Sequence, residues 1–508
     1  MFLLNVAAVM AFSATPSLST VLHQRATFAF EGAEIVSFDP RSKDVLVVGN
    51  GITRRVRIVG KSMAEVWSIA GSEWLPDLGD DSQVTHVVAD PLGRGFFAAL
   101  VSPRESWGHT GRLVIGDMET GKLLSSHEVG HGPDAAAFSP DGSTIIVANE
   151  GEPGVTWSGA IVDPPGSVSF FDVTGQSVHT LFFTLSGTDE ISWLRIHPRN
   201  RTSVSLDIEP EYITVLDDRA YISLQENNAI AVIDWRTPQI VAIRGLEPIL
   251  TVIDADGTDH KALVQTPVLA LPMPDQITSF ADNGRHMIVT ANEGDSRGKV
   301  ESWPLGDTML LKERTANDPL GFGQTCPGTL EVCAFSEPLN GDGGLSIPYV
   351  LGARSISVIE ASTGQLVGHT GSSFELAMAA YPSLYNGTLK PTGDLAPDSR
   401  SAKRGPEPEG VVLGMLGDRR VAFVGLERPG AIATIDLSTP EHPEIIDLSP
   451  IALHGHFAPE GLLYLSAKDS PLGVPLLLVA CEVSGELVIY EVRESRSGMT
   501  CDHLNAAR

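Results

Sequence analysis

The chain has 508 residues, 42% of them hydrophobic, with 50 Gly and 34 Pro, and its 35 basic against 63 acidic side chains leave a net charge of −28. That balance excludes a nucleic-acid surface, which needs Lys and Arg against phosphate, and a dock on anionic lipid. The apolar content is too high for a disordered chain, and so many turn formers point to short strands rather than long helices.

The N-terminus reads MFLLNVAAVMAFSATPSLS, an apolar run from Phe2 to Phe12 followed by small residues. Residues 1–20 are read as a signal peptide, although no basic residue precedes the run. Residues 25–495 are read as one repeat domain and 496–508 as a polar tail. No later stretch reaches the roughly 18 apolar residues of a spanning helix, so no transmembrane segment is expected. The four cysteines, Cys326, Cys333, Cys481 and Cys501, allow three pairings, and the spacing does not choose among them.

One unit recurs along the chain. It opens with Pro and an acid, at Pro133-Asp134, Pro210-Glu211, Pro274-Asp275, Pro408-Glu409 and Pro459-Glu460. A second apolar run then ends in an acid: Ile145–Glu150, Tyr221–Glu226, Met287–Glu293, Val421–Glu427 and Leu477–Glu482. A third does the same, at Val168–Asp172, Ala229–Asp234, Ile356–Glu360, Ala431–Asp436 and Leu487–Glu491. Two weaker copies precede these, opening at Gly32-Ala33-Glu34 and Val84-Thr85-His86. Five clear and two weak copies make seven. A small sheet of short β-branched runs cannot bury both faces alone, whereas stacking copies around an axis does. The expected fold is all-β, a seven-bladed β-propeller with long inter-blade loops. A parallel β-helix, with shorter and more regular repeats, is the competing fold. The widest gap, Pro274 to Pro408, places loops near Thr315–Gly344 and Tyr381–Pro406, with a small inserted subdomain as the alternative.

The stretches FSPDGSTIIVANEGEP (Phe138–Pro153), LQENNAIAVID (Leu224–Asp234), TANEGDSR (Thr290–Arg297), GPEPEGV (Gly405–Val411), FVGLERPGAIATID (Phe423–Asp436) and EVSGELVIYEV (Glu482–Val492) resemble the choice-of-anchor I family. That family includes mesenchyme-specific cell-surface glycoproteins linked to biomineral deposition, and some bacterial members are labelled alkaline phosphatases. The resemblance implies an extracellular propeller of the YVTN/WD40-like type. The first two copies depart from the pattern by lacking the Pro-acid opening, so a ring of identical ligands is incomplete.

The residue opening each innermost propeller strand faces the mouth of the central channel. Glu34, Asp134, Glu211, Asp275, Glu409 and Glu460 are therefore expected to converge as metal ligands. Hard carboxylate oxygens without a Cys/His cluster favour Ca²⁺, with Mg²⁺ second. The plain alternative is a turn opener whose carboxylate accepts backbone N–H bonds. Glu150, Glu226, Glu293, Glu427 and Glu482 are placed in a second ring, with Asn149, Asn227, Asn228 and Asn292 as neutral oxygen ligands and Asp295 in the same dense loop. Arg297, Arg354 and Arg428 either pair with carboxylates or grip a phosphate or sulfate. His127-Glu128-Val129-Gly130-His131 matches HExxH, but Gly130, Gly132 and Pro133 break the helix that motif requires.

Three functions remain open from sequence. One is a secreted or cell-surface propeller binding Ca²⁺ and a partner (an extracellular protein, glycan or mineral surface) through an acidic face. Another is a metal-dependent phosphohydrolase, alkaline phosphatase- or phytase-like. The third is an interaction propeller with no ion dependence.

Overall fold

Each copy of the repeat folds as a four-stranded antiparallel meander. The computed structural model describes residues 21–494 except 157, 186–192, 197–206, 296–302, 305–329, 335–347 and 391–392. The expected signal peptide, the polar tail, Arg297, Cys326 and Cys501 lie outside the described residues. Blade 1 comprises Ala33–Phe38, Val45–Gly49, Ile52–Val59 and Ser62–Ala70; blade 2 comprises Gln83–Ala89, Phe96–Ser102, Thr110–Asp117 and Leu123–His131. Blade 3 is built from Pro133–Phe138, Thr144–Asn149, Ser167–Asp172 and Ser177–Phe182, and blade 4 from Ile213–Leu216, Arg219–Leu224, Ala229–Asp234 and Gln239–Gly245. Blade 5 takes Ile277–Asp282, Arg285–Ala291, Ile356–Glu360 and Gln365–His369, and blade 6 takes Pro408–Leu416, Arg419–Leu426, Ala431–Asp436 and Glu444–Ser449. Blade 7 contributes Pro459–Leu465, Leu476–Cys481 and Glu486–Val492, and its outermost strand is Leu22–Ala29 from the N-terminal side.

The innermost strands of these seven sheets touch one another in a closed circle, blade 7 against blade 1 included. The N-terminal strand fastens the circle by pairing antiparallel with Glu486–Val492, Leu22 opposite Val492 and Ala29 opposite Glu486. Propellers leave only short, protected edges in this way.

The period of two decides which side chain meets which blade. Along Val45–Val48 every residue is buried: Val45 and Val47 pack on blade 7 with Leu476, Leu478 and Ile489, while Leu46 and Val48 pack on blade 2 with Val87, Phe97 and Ala99. The other interfaces repeat this, for example Ile146 and Ala148 against Ala220, Ile222 and Ala231 between blades 3 and 4. Strands buried on both faces read as continuous apolar runs rather than alternating ones. Each such Val, Leu or Ile contributes about 1.5–3 kcal/mol of burial free energy.

Outside the circle, a five-stranded sheet follows the order Ile249–Ile253, Thr266–Leu271, Pro348–Leu351, Glu331–Ala334, Trp303–Pro304. Its Thr266–Leu271 and Pro348–Leu351 run parallel. The expected loop at Thr315–Gly344 is thus partly sheet at Glu331–Ala334, and the rest of it lies outside the described residues except Leu330. The expected loop at Tyr381–Pro406 is no solvent excursion either, because Leu384, Tyr385, Asn386 and Ser401 within it are buried.

Candidate functional site

In blades 1, 3, 6 and 7 the acid that opens the repeat sits where the strand register slips. Pairing is regular up to Pro133, Pro408 and Pro459, and the shift falls at Asp134, at Glu409-Gly410 and at Glu460-Gly461; in blade 1 it falls at Glu34. A β-bulge re-aims the extra residue out of the ladder. In blades 4 and 5 the acid lies just before the regular ladder, with the Glu211 amide donating to Ser223 O (3.0 Å) and the Asp275 amide to Ala291 O (2.9 Å). Blade 2 has the same slip, but Thr85 occupies it and donates its hydroxyl to Pro133 O of blade 3 at 2.6 Å. Neighbouring blades are in tight contact here. A Cβ on Gly461 would stand 1.9 Å from Glu34 O, and one on Gly410 2.2 Å from Glu460 O.

These placements bring the six opening acids together. Glu34 is pushed up to about 7 by burial and by the charges of Glu482 and Asp134. Asp134 rises to about 6 through burial and Glu152. Glu460 rises to about 10 through burial, Glu482 (which also hydrogen-bonds it), Glu427 and Glu34. Burial drives Glu211, Asp275 and Glu409 well above the usual carboxylate range. Glu226, Asp275 and Asp134 add to it at Glu211, Glu293 and Asp134 at Asp275, and Glu427 and Glu460 at Glu409. Asp275 and Glu211 are only 6% and 8% exposed. The buried atoms Glu211 Oε2, Asp275 Oδ2 and Glu409 Oε2 have no hydrogen-bond partner, so the turn-opener reading leaves these atoms unexplained.

The second set of acids interleaves with the first. Glu150 lies well above its ordinary value, through burial and then Asp134, Glu152, Glu226 and Glu209. Glu427 reaches about 8 by burial and the charges of Glu407 and Glu293, against the pull of Arg428. Glu293 reaches about 7 by burial and Glu407, while Arg404 and a 2.8 Å hydrogen bond from Gln225 pull it down. Glu226 is buried, and Glu482 is half-buried beside Glu460.

One wall of the funnel is lined with guanidinium groups. Arg428 bonds Glu407 at 2.7 Å and Glu427 at 2.6 Å, and Arg400 pairs with the other oxygen of Glu407. Arg404 reaches Asp295 at 2.8 Å and Glu293 at 3.3 Å. Burial pushes Glu407 up, but Arg400, Arg428 and Arg404 together hold it below the usual range. On the remaining wall, no Lys or Arg among the described residues forms an ion pair with Glu34, Asp134, Glu211 or Asp275.

Several expected ligands are committed elsewhere. The Asn149 carboxamide accepts from Gly130 N (2.9 Å) and donates to Ser167 and Ser169. Asn227 accepts from Glu209 N and donates to Arg195 O and Asp207 O. Asn228 accepts from Met273 N, and Asn292 accepts from Thr290 Oγ1 and donates to Ser355 and Ser357. All four brace backbone and sheet. Arg354 is fully buried, pairs with Glu375 at 2.7 Å and donates to the carbonyls of Asp254, Ser401 and Lys403. It clamps a connection through these carbonyls and pairs with Glu375 rather than with a funnel acid. The HExxH match lies on the strand Leu123–His131, where His127 hydrogen-bonds Ser125 and His131 hydrogen-bonds Ser106 O.

Sequence reasoning missed Tyr212, Glu407, Arg400 and Arg404. The Tyr212 phenol is pushed well up by burial and by Asp275, Asp134, Glu409 and Glu460, which puts it in the field of four blades at once. Its signal was the bulky residue after Pro210-Glu211, where other copies carry Gly, Ala or Gln. For Glu407 the signal was the doubled Pro-Glu of Pro406–Glu409.

Among the described residues, two carboxylate triads have oxygens within 4.8 Å of one another: Glu293, Glu407 and Glu427, and Glu409, Glu427 and Glu460. The first is met by the three arginines, which hold Glu407 down but leave Glu293 and Glu427 raised by burial and like charge. The second keeps only Arg428, through Glu427, and offers hard oxygen donors of the kind Ca²⁺ takes.

No helix among the described residues is long and apolar enough to cross a membrane. Gigasin-3a of Magallana gigas is 30% identical over 170 residues, which is 30% of this chain and 60% of that protein. The mesenchyme-specific cell surface glycoprotein of Strongylocentrotus purpuratus is 29% identical over 282 residues, 47% of this chain and 34% of that one. The chain thus spans less than two thirds of either relative. Among solved structures, Kuenenia stuttgartiensis hydrazine synthase (TM-score 0.49, 11% identity, 91% of this chain and 96% of that one) is similar, as is the C-terminal WD40 domain of Sif2 (0.41, 13%, 93% and 98%). The choice-of-anchor I domain model matches residues 34–440, from the first ring acid into blade 6, and on that match this all-β propeller belongs to the choice-of-anchor I family.

Proposed function

We propose that this chain is a secreted or cell-surface propeller that binds Ca²⁺ in its acidic funnel and uses the loaded face to hold a partner. The observation that carries the reading is the triad Glu409, Glu427 and Glu460, whose oxygens lie within 4.8 Å of one another while Glu409 Oε2 is buried without a hydrogen-bond partner. Carboxylates packed this closely repel, and either a proton or a cation must relieve them. A divalent ion bound by two or three of them leaves coordination positions for an incoming oxygen ligand. Carboxylate or sulfate groups of an extracellular protein, glycan or mineral surface have the chemistry to fill these. The mesenchyme-specific cell surface glycoprotein supports the extracellular setting. A phosphohydrolase finds less support, since Arg428 and Arg404 are already engaged by carboxylates rather than aimed at an open anion position.

The test is calorimetric titration of chelator-stripped protein with Ca²⁺ at neutral pH, for the parent and for Glu409→Gln/Glu460→Gln. Removal of two of three charged ligands is expected to weaken one binding event by at least about tenfold, roughly 1.4 kcal/mol. Identical isotherms for the two proteins would remove the funnel from the account.

A further inference from the structure

A second buried oxygen cluster lies away from the funnel, where the outer sheet meets the connection between blades 5 and 6. Asp254 follows the strand Ile249–Ile253, Glu375 lies on the short helix Ser373–Met378, and Asn386, Asp398 and Ser401 lie in the segment that follows. Asp254, Glu375, Asp398, Asn386, Ser401 and Arg354 are all at most 2% exposed. They form one network. Asn386 Nδ2 donates to Glu375 Oε1 at 2.7 Å and to Ser401 Oγ at 2.9 Å, and Ser401 Oγ donates to Asp398 Oδ1 at 2.6 Å. Arg354 donates to Glu375 Oε1 at 2.7 Å and to Asp254 O at 2.9 Å, and the Tyr385 hydroxyl donates to Asp254 Oδ2 at 3.1 Å.

The network is unfinished. Among the described residues, Glu375 Oε2, Asn386 Oδ1 and Asp398 Oδ2 are buried acceptors, and Arg354 Nε a buried donor, with no hydrogen-bond partner. Asp254 is better provided for, accepting from the amides of Asp256 and Leu263. A fully buried carboxamide oxygen is an oddity that charge repulsion does not explain, and it needs a donor or a cation. With all three carboxylates ionised the charges are unbalanced in the same direction, −3 + 1 = −2, and burial raises Glu375 and Asp398 above their ordinary values. Leaving two net charges buried without a counter-ion costs several kcal/mol. One divalent ion cancels the excess and supplies what the three orphaned oxygens lack.

We propose that Glu375, Asn386 and Asp398 hold a buried divalent cation of the hard, oxygen-seeking class, Ca²⁺ foremost, at a site distinct from the funnel. Its role is to fasten the 373–407 connection to the outer sheet. That connection carries Arg400 and Arg404, the side chains that hold Glu407, Glu293 and Asp295 on the funnel wall. The buried ion therefore sets the position of the funnel's basic wall from behind.

The experiment uses the full chain carrying Glu409→Gln/Glu460→Gln, so that the funnel triad is weakened, and reads the melting temperature in chelator and in saturating Ca²⁺. Ca²⁺ is expected to raise it by at least about 2 °C. Adding Asp398→Asn, which keeps the size and the bond to Ser401, is expected to abolish most of that rise. Adding Asn386→Asp instead is expected to lower the melting temperature in chelator and to restore it in Ca²⁺, because the new carboxylate is a better ligand. The proposal is overturned if Ca²⁺ gives no rise, if Asp398→Asn leaves the rise intact, or if Asn386→Asp destabilises equally in both buffers, the signature of a site filled by water only. A funnel that binds nothing would leave these three readings unchanged, so the two ideas fail separately.

Discussion

Glu293 and Glu427 give the sharpest test of the funnel's electrostatics. Burial and like charge hold them at about 7 and about 8, against an ordinary 4.5. Their folded-state values are raised, so the folded chain holds protons that the unfolded chain has released. The stability tied to those protons is complete below about pH 4.5 and is lost as pH rises through 7 and 8. Each such proton contributes about 1.4 kcal/mol per pH unit. Between pH 5.5 and 7 the pair therefore accounts for at most about 4 kcal/mol, and relaxation around a coupled cluster brings this to about 2 kcal/mol. The perturbation is Glu293→Gln/Glu427→Gln, which cannot titrate. Loss of the contacts to Arg404 and Arg428 adds an offset, and the readout is how the difference from the parent changes with pH. Buried His86, held down to about 4, has the opposite slope below about pH 6.5 but is common to both proteins and cancels. In urea with chelator, the variant is expected to gain about half a molar in midpoint relative to the parent between pH 5.5 and 7. A difference that stays flat, or a variant that loses ground as pH rises, would refute the claim that burial and like charge outweigh the arginines at these two carboxylates.

Other consequences follow from close packing and burial. Gly461→Ala drives a methyl into Glu34 O of the next blade and is expected to lower stability by about 2–4 kcal/mol, read by urea unfolding. Thr85→Val removes the hydrogen bond to Pro133 O and is expected to cost about 1 kcal/mol in the same assay. The Cys481 thiol, fully buried and pushed up by burial, is expected to resist alkylation in the native protein and to react once it is unfolded.

The Pro-acid spacing made most of the fold and the core of the site readable. In blades 3, 6 and 7 Pro opens the strand and the residue after it bulges, so a turn signal also marked where a side chain leaves the ladder. The third strands Ala229–Asp234, Ile356–Glu360 and Ala431–Asp436 match their expected spans residue for residue, while the acids of the second runs fall just past their strands. Direction was not readable. Asn149, Asn227 and Asn292 are of the right chemical type to bind an ion, but backbone groups claim the first two and the hydroxyls of Thr290, Ser355 and Ser357 claim the third. Arg354 looked like a loop arginine and points inward. The outer sheet stayed hidden because its parallel pair joins Thr266–Leu271 to Pro348–Leu351, segments far apart in sequence and without the repeat's punctuation.

The fastening of blade 7 by Leu22–Ala29 also sets a clock on synthesis. That strand's partner, Glu486–Val492, lies 486 − 29 = 457 residues downstream. At about 5–20 residues per second, roughly 20 to 90 seconds separate the emergence of the two. Through that interval the first strand waits as an open edge able to pair with the wrong neighbour. Its Arg25, which in the finished protein meets Glu491, places a charge on that waiting edge, the kind of residue that discourages premature partners.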